Sequence, residues 1–341
     1  MRKLQIENRL IGQGEPVFII AEAGINHDGD IQRAHEMIDA AADAGADCIK
    51  FHTHLVNHEM LDLDDTASYL NESQYQLIQR VELSIEDHLE LKEHAERKKI
   101  FFLSTPFSRE AADLLGRINV GAFKVGSGEL TNTPLMEHLS KFNKPLIVST
   151  GMSSFAEVET TIDLLNKLNV NFGLMQCTSR YPTPPSEVHL GVIKRYIDKF
   201  KIPVGLSDHS AVSYTVFASI ALGVSMVEKH FTISRNWSGP DQQSSLEPQE
   251  FKDLVQGVRD IEKALDDIKE VHEEELGLQK IFRASVVSIK PIPKGKTISE
   301  DMVWVKRPGY GIPACELNNV IGRKTKEYLG PNQLLKWDDL K

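Results

Sequence analysis

Two short segments carry the residue types that do chemistry: Gly205-Leu-Ser-Asp-His-Ser210 and, one strand–helix unit later, Val227-Glu-Lys-His-Phe231. Each reads as a short apolar strand running into polar residues. Alternate side chains of a strand share a face, so Ser207 and His209 point one way, and Glu228 and His230 do the same on their own strand. Adjacent strands would bring two imidazoles and a carboxylate to one spot, which suits a divalent metal with open coordination positions acting as a Lewis acid. His209 and His230 are the candidate metal ligands. Lys229 lies between Glu228 and His230, faces away from both, and is given no part in the site.

A second group of residues suits anions. Lys50, His52 and His54 alternate along one strand, and Phe123-Lys-Val-Gly-Ser-Gly-Glu129 places Lys124 inside an apolar strand followed by a Gly-Ser-Gly turn. Exposed N–H groups and a hydroxyl in such a turn bind anions. With Thr105, Ser127, Ser149 and Ser207, the two lysines form a candidate phosphate and carboxylate cradle. A lysine at a strand end can instead form a Schiff base, or simply sit in solvent. Glu22 follows a fully apolar strand, where an uncompensated carboxylate is costly, so it is assigned to the site. A lone histidine is commonly a hydrogen-bonded structural residue. His27 fits a role in shaping the loop Asn26-His27-Asp28-Gly29, and His35, His88, His94 and His138 fall on helices with no function assigned.

These residues need a scaffold. Apolar runs at Val17–Ala21, Cys48–Phe51, Ile100–Leu103, Ala122–Val125, Leu146–Val148, Phe172–Met175, Val204–Leu206 and Met226–Val227 alternate with amphipathic stretches such as Ile31–Ala44, Ile85–Lys98 and Phe155–Leu168. Ser84 can cap the 85–98 helix, with Glu86 and Asp87 in its first turn. The alternation fits a (β/α)8 TIM barrel or a doubly wound open sheet. Functional-looking groups at nearly every strand end favour the barrel, whose active sites draw on the C-terminal ends of several strands, whereas an open sheet gathers them at one switch point. Glu247–Leu265 reads as the last barrel helix, giving a catalytic domain over 1–265. The acidic stretch 266–281 reads as a linker. Residues 282–341 read as a small β-rich module, with β-branched runs at Ser285–Ile289 and Val303–Lys306 punctuated by proline and glycine. A module of that size is marginal alone and is expected to dock on another surface.

The 341 residues carry 39 Lys and Arg against 49 Asp and Glu, a net charge of -10 that argues against a nucleic-acid partner. The three cysteines form no disulfide or zinc pattern, which fits a reducing compartment. No signal peptide or membrane-length apolar run is evident, so the expected location is cytoplasmic, away from membranes.

Taken in order, the motifs resemble the sialic acid synthase family: Ile20-Ala-Glu-Ala-Gly-Ile-Asn-His27, Ser104-Thr-Pro-Phe107, Lys124-Val-Gly-Ser-Gly-Glu129, Ser149-Thr-Gly-Met152, Gln176-Cys-Thr-Ser-Arg-Tyr-Pro182, Gly205-Leu-Ser-Asp-His209, Glu228-Lys-His-Phe231 and Gly239-Pro-Asp241. Lys306-Arg-Pro-Gly309 resembles the signature of that family's antifreeze-like, or SAF, domain. The resemblance spans essentially the whole chain. It implies condensation of phosphoenolpyruvate with an N-acylated mannosamine-type sugar, giving a nine-carbon 2-keto acid and phosphate, with Mn2+ or Mg2+ as cofactor on His209 and His230. It also implies that Lys50, Thr105, Lys124, Ser127, Ser149, Ser179 and Ser207 bind phosphoenolpyruvate. Glu22, His52, Glu129, Tyr181, Glu228 and Asp241 then lie near the acceptor sugar and the reacting carbons. Arg307 would reach the partner subunit's active site in a domain-swapped homodimer. Two positions depart from the pattern: Ser179 stands where some members have Asn, and His52 where many have Gln. Both retain hydrogen-bonding ability.

In the implied reaction the metal polarises the acceptor aldehyde, C3 of phosphoenolpyruvate attacks it, and the positive charge left at C2 is stabilised by Glu22 and Glu228. Water then adds at C2 and phosphate leaves by C–O cleavage. Other readings are a Schiff-base aldolase using Lys50 or Lys124, a related synthase acting on a sugar phosphate, and a non-catalytic carbohydrate-binding protein. Among acceptors, N-acetylmannosamine, its 6-phosphate and the diacetamido-trideoxy analogues that lead to legionaminic and pseudaminic acids all suit the scaffold. The lack of a second basic cluster favours an unphosphorylated sugar.

Overall fold

A computed structural model describes residues 2–63 and 72–341. The chain forms two compact units, Met1–Asp266 and Asp267–Lys341.

The first unit opens with a small antiparallel hairpin, β1 (Leu4–Ile6) and β2 (Arg9–Ile11). Eight parallel strands follow: β3 (Phe18–Gly24), β4 (Cys48–Thr53), β5 (Phe101–Pro106), β6 (Phe123–Val125), β7 (Leu146–Ser149), β8 (Phe172–Cys177), β9 (Val204–Asp208) and β10 (Met226–His230). Their order is β5-β4-β3-β10-β9-β8-β7-β6, and the two end strands lie side by side, so the sheet is a nearly closed TIM-like barrel. The barrel reading of the sequence therefore holds over the open sheet.

Strand alternation sorts the side chains into layers. Phe18, Ile20, Cys48, Leu103, Ala122, Ile147, Met175 and Met226 face inward at the lower end and pack with Leu4, Ile6 and Ile11 of the hairpin, which plugs that end. Outward residues such as Ile19, Ile49, Phe51, Val148, Leu174, Leu206 and Val227 form the larger core with the helices. The helices start where the residue types dictate. Ser84 and Asp87 make a reciprocal capping box at the start of helix Ile85–Lys98, and Ser154 and Glu157 do the same for Phe155–Lys167. Residues Pro248–Ala264 form the last helix of this unit.

The second unit has its own core around Val286, Ile292, Val303, Val320, Leu329 and Leu335. It contains the antiparallel pair β11 (Ser285–Ser288) and β12 (Val303–Lys306). It begins differently from the sequence expectation, because part of the stretch read as linker is the helix Glu273–Phe282. Three glutamates in the first turn complement the helix dipole, and the Glu275 carboxylate accepts from the His272 N–H. The negative charge that reads as a solvated linker is thus also a helix-start signal.

Candidate active site

One step above the apolar layer, each strand turns a polar side chain inward: Glu22 (β3), Lys50 (β4), Thr105 (β5), Lys124 (β6), Ser149 (β7), Cys177 (β8), Ser207 (β9) and Glu228 (β10). All eight are buried. Seven of them are among the residues singled out in the sequence. They form one connected network. Lys50 Nζ lies 2.6 Å from Glu22 Oε2 and 3.8 Å from Glu228 Oε1, and it donates to Thr105 Oγ1 at 3.3 Å. Lys124 Nζ donates to Ser149 Oγ at 2.7 Å and lies 3.5 Å from Glu228 Oε1. Ser207 Oγ donates to the same Glu228 oxygen at 3.0 Å, leaving Oε2 buried with no hydrogen-bond partner among the described residues.

Burial and charge act against each other here. Burial would raise the Glu22 carboxyl, but Lys50 and His52 outweigh it and hold Glu22 well below the usual carboxylate range. Burial would lower Lys50, yet Glu22 and Glu228 keep its pKa above the ordinary value. Lys124 is lowered, because burial outweighs its attraction to Glu228. Two buried lysines therefore sit in unlike fields.

A candidate anion cradle lies beside Lys124. Gly151 N–H donates to Ser127 Oγ at 3.1 Å. A methyl group at position 151 would fall 2.3 Å from Ser179 Oγ and 2.7 Å from Ser127 Oγ. Both hydroxyls therefore close on the space that a glycine leaves open. Cys177, at the end of its strand but given no role in the sequence reading, adds its thiol at 3.4 Å from Ser127 Oγ. Burial raises that thiol, but His209, Ser127 and Lys124 bring it down to about 7. Strand alternation from Met175 was the available signal for Cys177.

On the other side, His52 Nε2 pairs with Glu22 Oε1 at 2.8 Å. Gly24, at φ 51°, lets Glu22, His52 and Asp241 converge: a Cβ there would lie 3.3 Å from Glu22 Oε1 and 3.6 Å from Asp241 Oδ2. Burial, followed by Glu22, pushes the Asp241 carboxyl up to about 6. Asp241 Oδ2 is 4.0 Å from His230 Nδ1, itself a buried atom with no hydrogen-bond partner among the described residues. The Phe107 ring backs this wall, stacked on His54 at 4.4 Å and edge-on to His52 at 5.1 Å.

The His209 and His230 rings are 5.2 Å apart, and Tyr181 stacks on His209 at 4.1 Å. His209 Nδ1 donates to the Thr178 carbonyl at 2.8 Å, which leaves Nε2 as an electron-pair donor in the manner of metal-ligating imidazoles. No group of three or more His, Cys, Asp or Glu at metal-holding distances occurs among the described residues. The two imidazoles, with Asp241 and Glu228 nearby, still fit a divalent cation that keeps several positions for other ligands.

Two expected site residues fall outside this network. Glu129 is half-buried in the short turn Ser127–Glu129 and accepts a hydrogen bond from Asn132. Arg307 belongs to the second unit, where it is exposed and its guanidinium lies 5.6 Å from the Phe282 ring centre.

Residues 37–270 match the NeuB family, and residues 283–341 match the SAF domain. The N,N'-diacetyllegionaminic acid synthase of Campylobacter jejuni is 41% identical over 322 residues, covering 91% of this chain and 96% of that protein. The human N-acetylneuraminate-9-phosphate synthase is 36% identical, covering 93% and 90% of the two chains. The crystal structure of the N-acetylneuraminic acid synthetase from Leptospira borgpetersenii, in complex with citrate, superimposes with a TM-score of 0.73 at 33% identity, covering 81% of this chain and 95% of that one.

Proposed function

The chain belongs to the NeuB family, and on that premise we propose that it condenses phosphoenolpyruvate with an unphosphorylated N-acylated mannosamine-type sugar to give a sialic-type acid and phosphate. The observation that carries this is the polar layer of eight strand ends, with two buried lysines on one side and paired carboxylates on the other.

Lys124, Ser127, Ser149, Ser179 and the Gly151 loop hold the anionic end of phosphoenolpyruvate, with Lys50 and Thr105 beside them. Glu22, His52, Tyr181 and Asp241 face the acceptor, and Glu129 lies farther along the same rim. When bound between His209 and His230, a divalent cation, Mn2+ or Mg2+, would polarise the acceptor's aldehyde oxygen. C3 of phosphoenolpyruvate forms the new C–C bond to the aldehyde carbon, whose oxygen takes up the electron pair and a proton. Glu228, between the lysines and Ser207, stabilises the positive charge left at C2. Glu22 is placed to take the proton from the water that adds at C2. Breaking the C2–O bond then releases phosphate and leaves the 2-keto acid.

Two finer points belong to the same proposal. The acceptor carries no phosphate, because the arginines that follow β8 and β10 are already engaged: Arg180 with Glu187 at 2.6 Å and Arg235 with Glu250 at 2.7 Å. The diacetamido-trideoxy sugar that leads to legionaminic acid is the first choice, given the Campylobacter relative. The protein works as a homodimer in which each SAF unit docks on its partner's barrel and delivers Arg307. Residues 282–341 hold eleven Lys and Arg against six Asp and Glu in a chain of net charge -10, and helix Glu273–Phe282 has no buried residue. Among the described residues no helix is long and apolar enough to cross a membrane, and with three free cysteines a cytoplasmic site of action is proposed.

Phosphoenolpyruvate labelled with 18O in the C2–O–P bridge tests the chemistry. Label retained in the released phosphate is the expected result, whereas label in the keto acid would contradict C–O cleavage.

A further inference from the structure

The reaction does not use the outward face of β9 and β10, yet that face is not apolar where the site begins. Asp208 separates Ser207 from His209 in the chain, and Lys229 separates Glu228 from His230. The two are direct partners in the β9–β10 ladder. Lys229 Nζ lies 2.9 Å from Asp208 Oδ2, with both side chains essentially inaccessible, at 1% and 0%. The remaining bonds run to the turn that leaves His209 and to the first turn of the helix Tyr214–Ala221 that follows it. Lys229 donates to the carbonyls of Ser210 and of Val212, the latter at 3.0 Å. Asp208 accepts from Ser210 N–H and Oγ at 2.9 Å each, and from Thr215 Oγ1 at 2.7 Å.

A buried ion pair is a poor source of stability. Apolar side chains of similar volume often serve as well or better, and Leu206 and Val227, one step below on the same face, are apolar. What the pair supplies is direction. An ammonium bonded at once to a carboxylate and two carbonyls fixes the turn after His209 to the strand that ends in His230. We infer that Asp208 and Lys229 are positioning residues that hold the His209 and His230 imidazoles in register, so that both face one point above the polar layer. This rests on the proposed use of those imidazoles.

The test is the full-length double variant D208N/K229M, which leaves no unpaired buried charge, with Thr215→Val as a milder change should the double variant fail to fold. Mn2+ alone is titrated calorimetrically, and phosphate release is measured separately. The expected result is a thermal midpoint close to wild type, a Mn2+ affinity weakened by roughly tenfold or more, as when groups behind metal ligands are lost, and a lower kcat with the KM for phosphoenolpyruvate unchanged. Thr215→Val should show the same split at smaller size. Folded variants with wild-type Mn2+ affinity and kcat would overturn the inference. Failure of the synthase reading shows elsewhere, as wild-type protein that binds Mn2+ but releases no phosphate, and the Mn2+ titration still decides the role of the pair.

Discussion

Gly151→Ala probes the anion cradle without touching any charged group. Gly151 is not among the glycines with positive φ, so alanine meets no backbone strain and its effect is steric. Its methyl would lie 2.3 Å from Ser179 Oγ and 2.7 Å from Ser127 Oγ, against an ordinary non-bonded separation of about 3.5 Å. The hydroxyls must therefore retreat by roughly 1 Å, which is enough to break a hydrogen bond. A hydrogen bond to a charged group contributes about 1.5–3 kcal/mol. Losing two of them costs at least about 3 kcal/mol of substrate binding, or roughly a hundredfold in kcat/KM for phosphoenolpyruvate. The retreating atoms are the free ends of side chains near the barrel mouth, so folding stability should change by less than about 1 kcal/mol. Phosphate release at varied phosphoenolpyruvate and saturating acceptor, alongside thermal unfolding, gives both quantities. A folded Gly151→Ala protein with wild-type kcat/KM would refute the placement of the anion against Ser127 and Ser179.

Further outcomes are expected from other parts of the structure. Burial, then His88 and its neighbours, lower the folded pKa of His27 to about 3, and its Nδ1 accepts from the Gly29 N–H at 3.1 Å. Below its unfolded pKa of about 6.5, the unfolded chain takes a proton that the folded one refuses, so this contribution is complete above that pH and is lost as pH falls towards 3. The loss is on the order of 4–5 kcal/mol, and His27→Asn should flatten the acid limb of urea-unfolding midpoints between pH 7 and 4; an unchanged limb would show that His27 is not the group responsible. Glu22→Gln removes the partner of both Lys50 and His52 and should lower kcat by about 10²–10⁴-fold, while near-wild-type kcat would remove Glu22 from the proton traffic. Borohydride added during turnover should trap no adduct on Lys50 or Lys124, and a mass increase on either would restore the Schiff-base reading. Mixing inactive Arg307→Ala and His209→Ala proteins should recover activity if Arg307 acts in the partner's site, and continued silence after subunit exchange would exclude the swapped arrangement.

The barrel was legible because each strand begins apolar, at the layer that fills its interior. The strand ends were not, since Met226–Val227 in fact runs on to His230. The mouth of a barrel is lined by polar side chains, so the apolar run stops before the strand does. The candidate site residues could be named from strand alternation: Glu22, Lys50, Lys124, Ser149, Ser207 and Glu228 all face inward as that periodicity requires. Hairpin β1–β2 left no trace, being two three-residue strands too short for a period to register. Gly151 and Gly24 were invisible as walls because their contribution is the absence of a side chain. Lys229 was correctly read as facing away from the site, but its pairing with Asp208 depends on ladder register, which a single strand does not reveal.

The most direct measurement is phosphate release from phosphoenolpyruvate against N-acetylmannosamine, its 6-phosphate and the two diacetamido-trideoxy sugars, each with Mn2+ and with EDTA. Release that needs both the metal and one unphosphorylated sugar is the expected result. Release with EDTA present, or preference for the 6-phosphate, would contradict the account, as would silence from folded, metal-loaded protein across the whole panel.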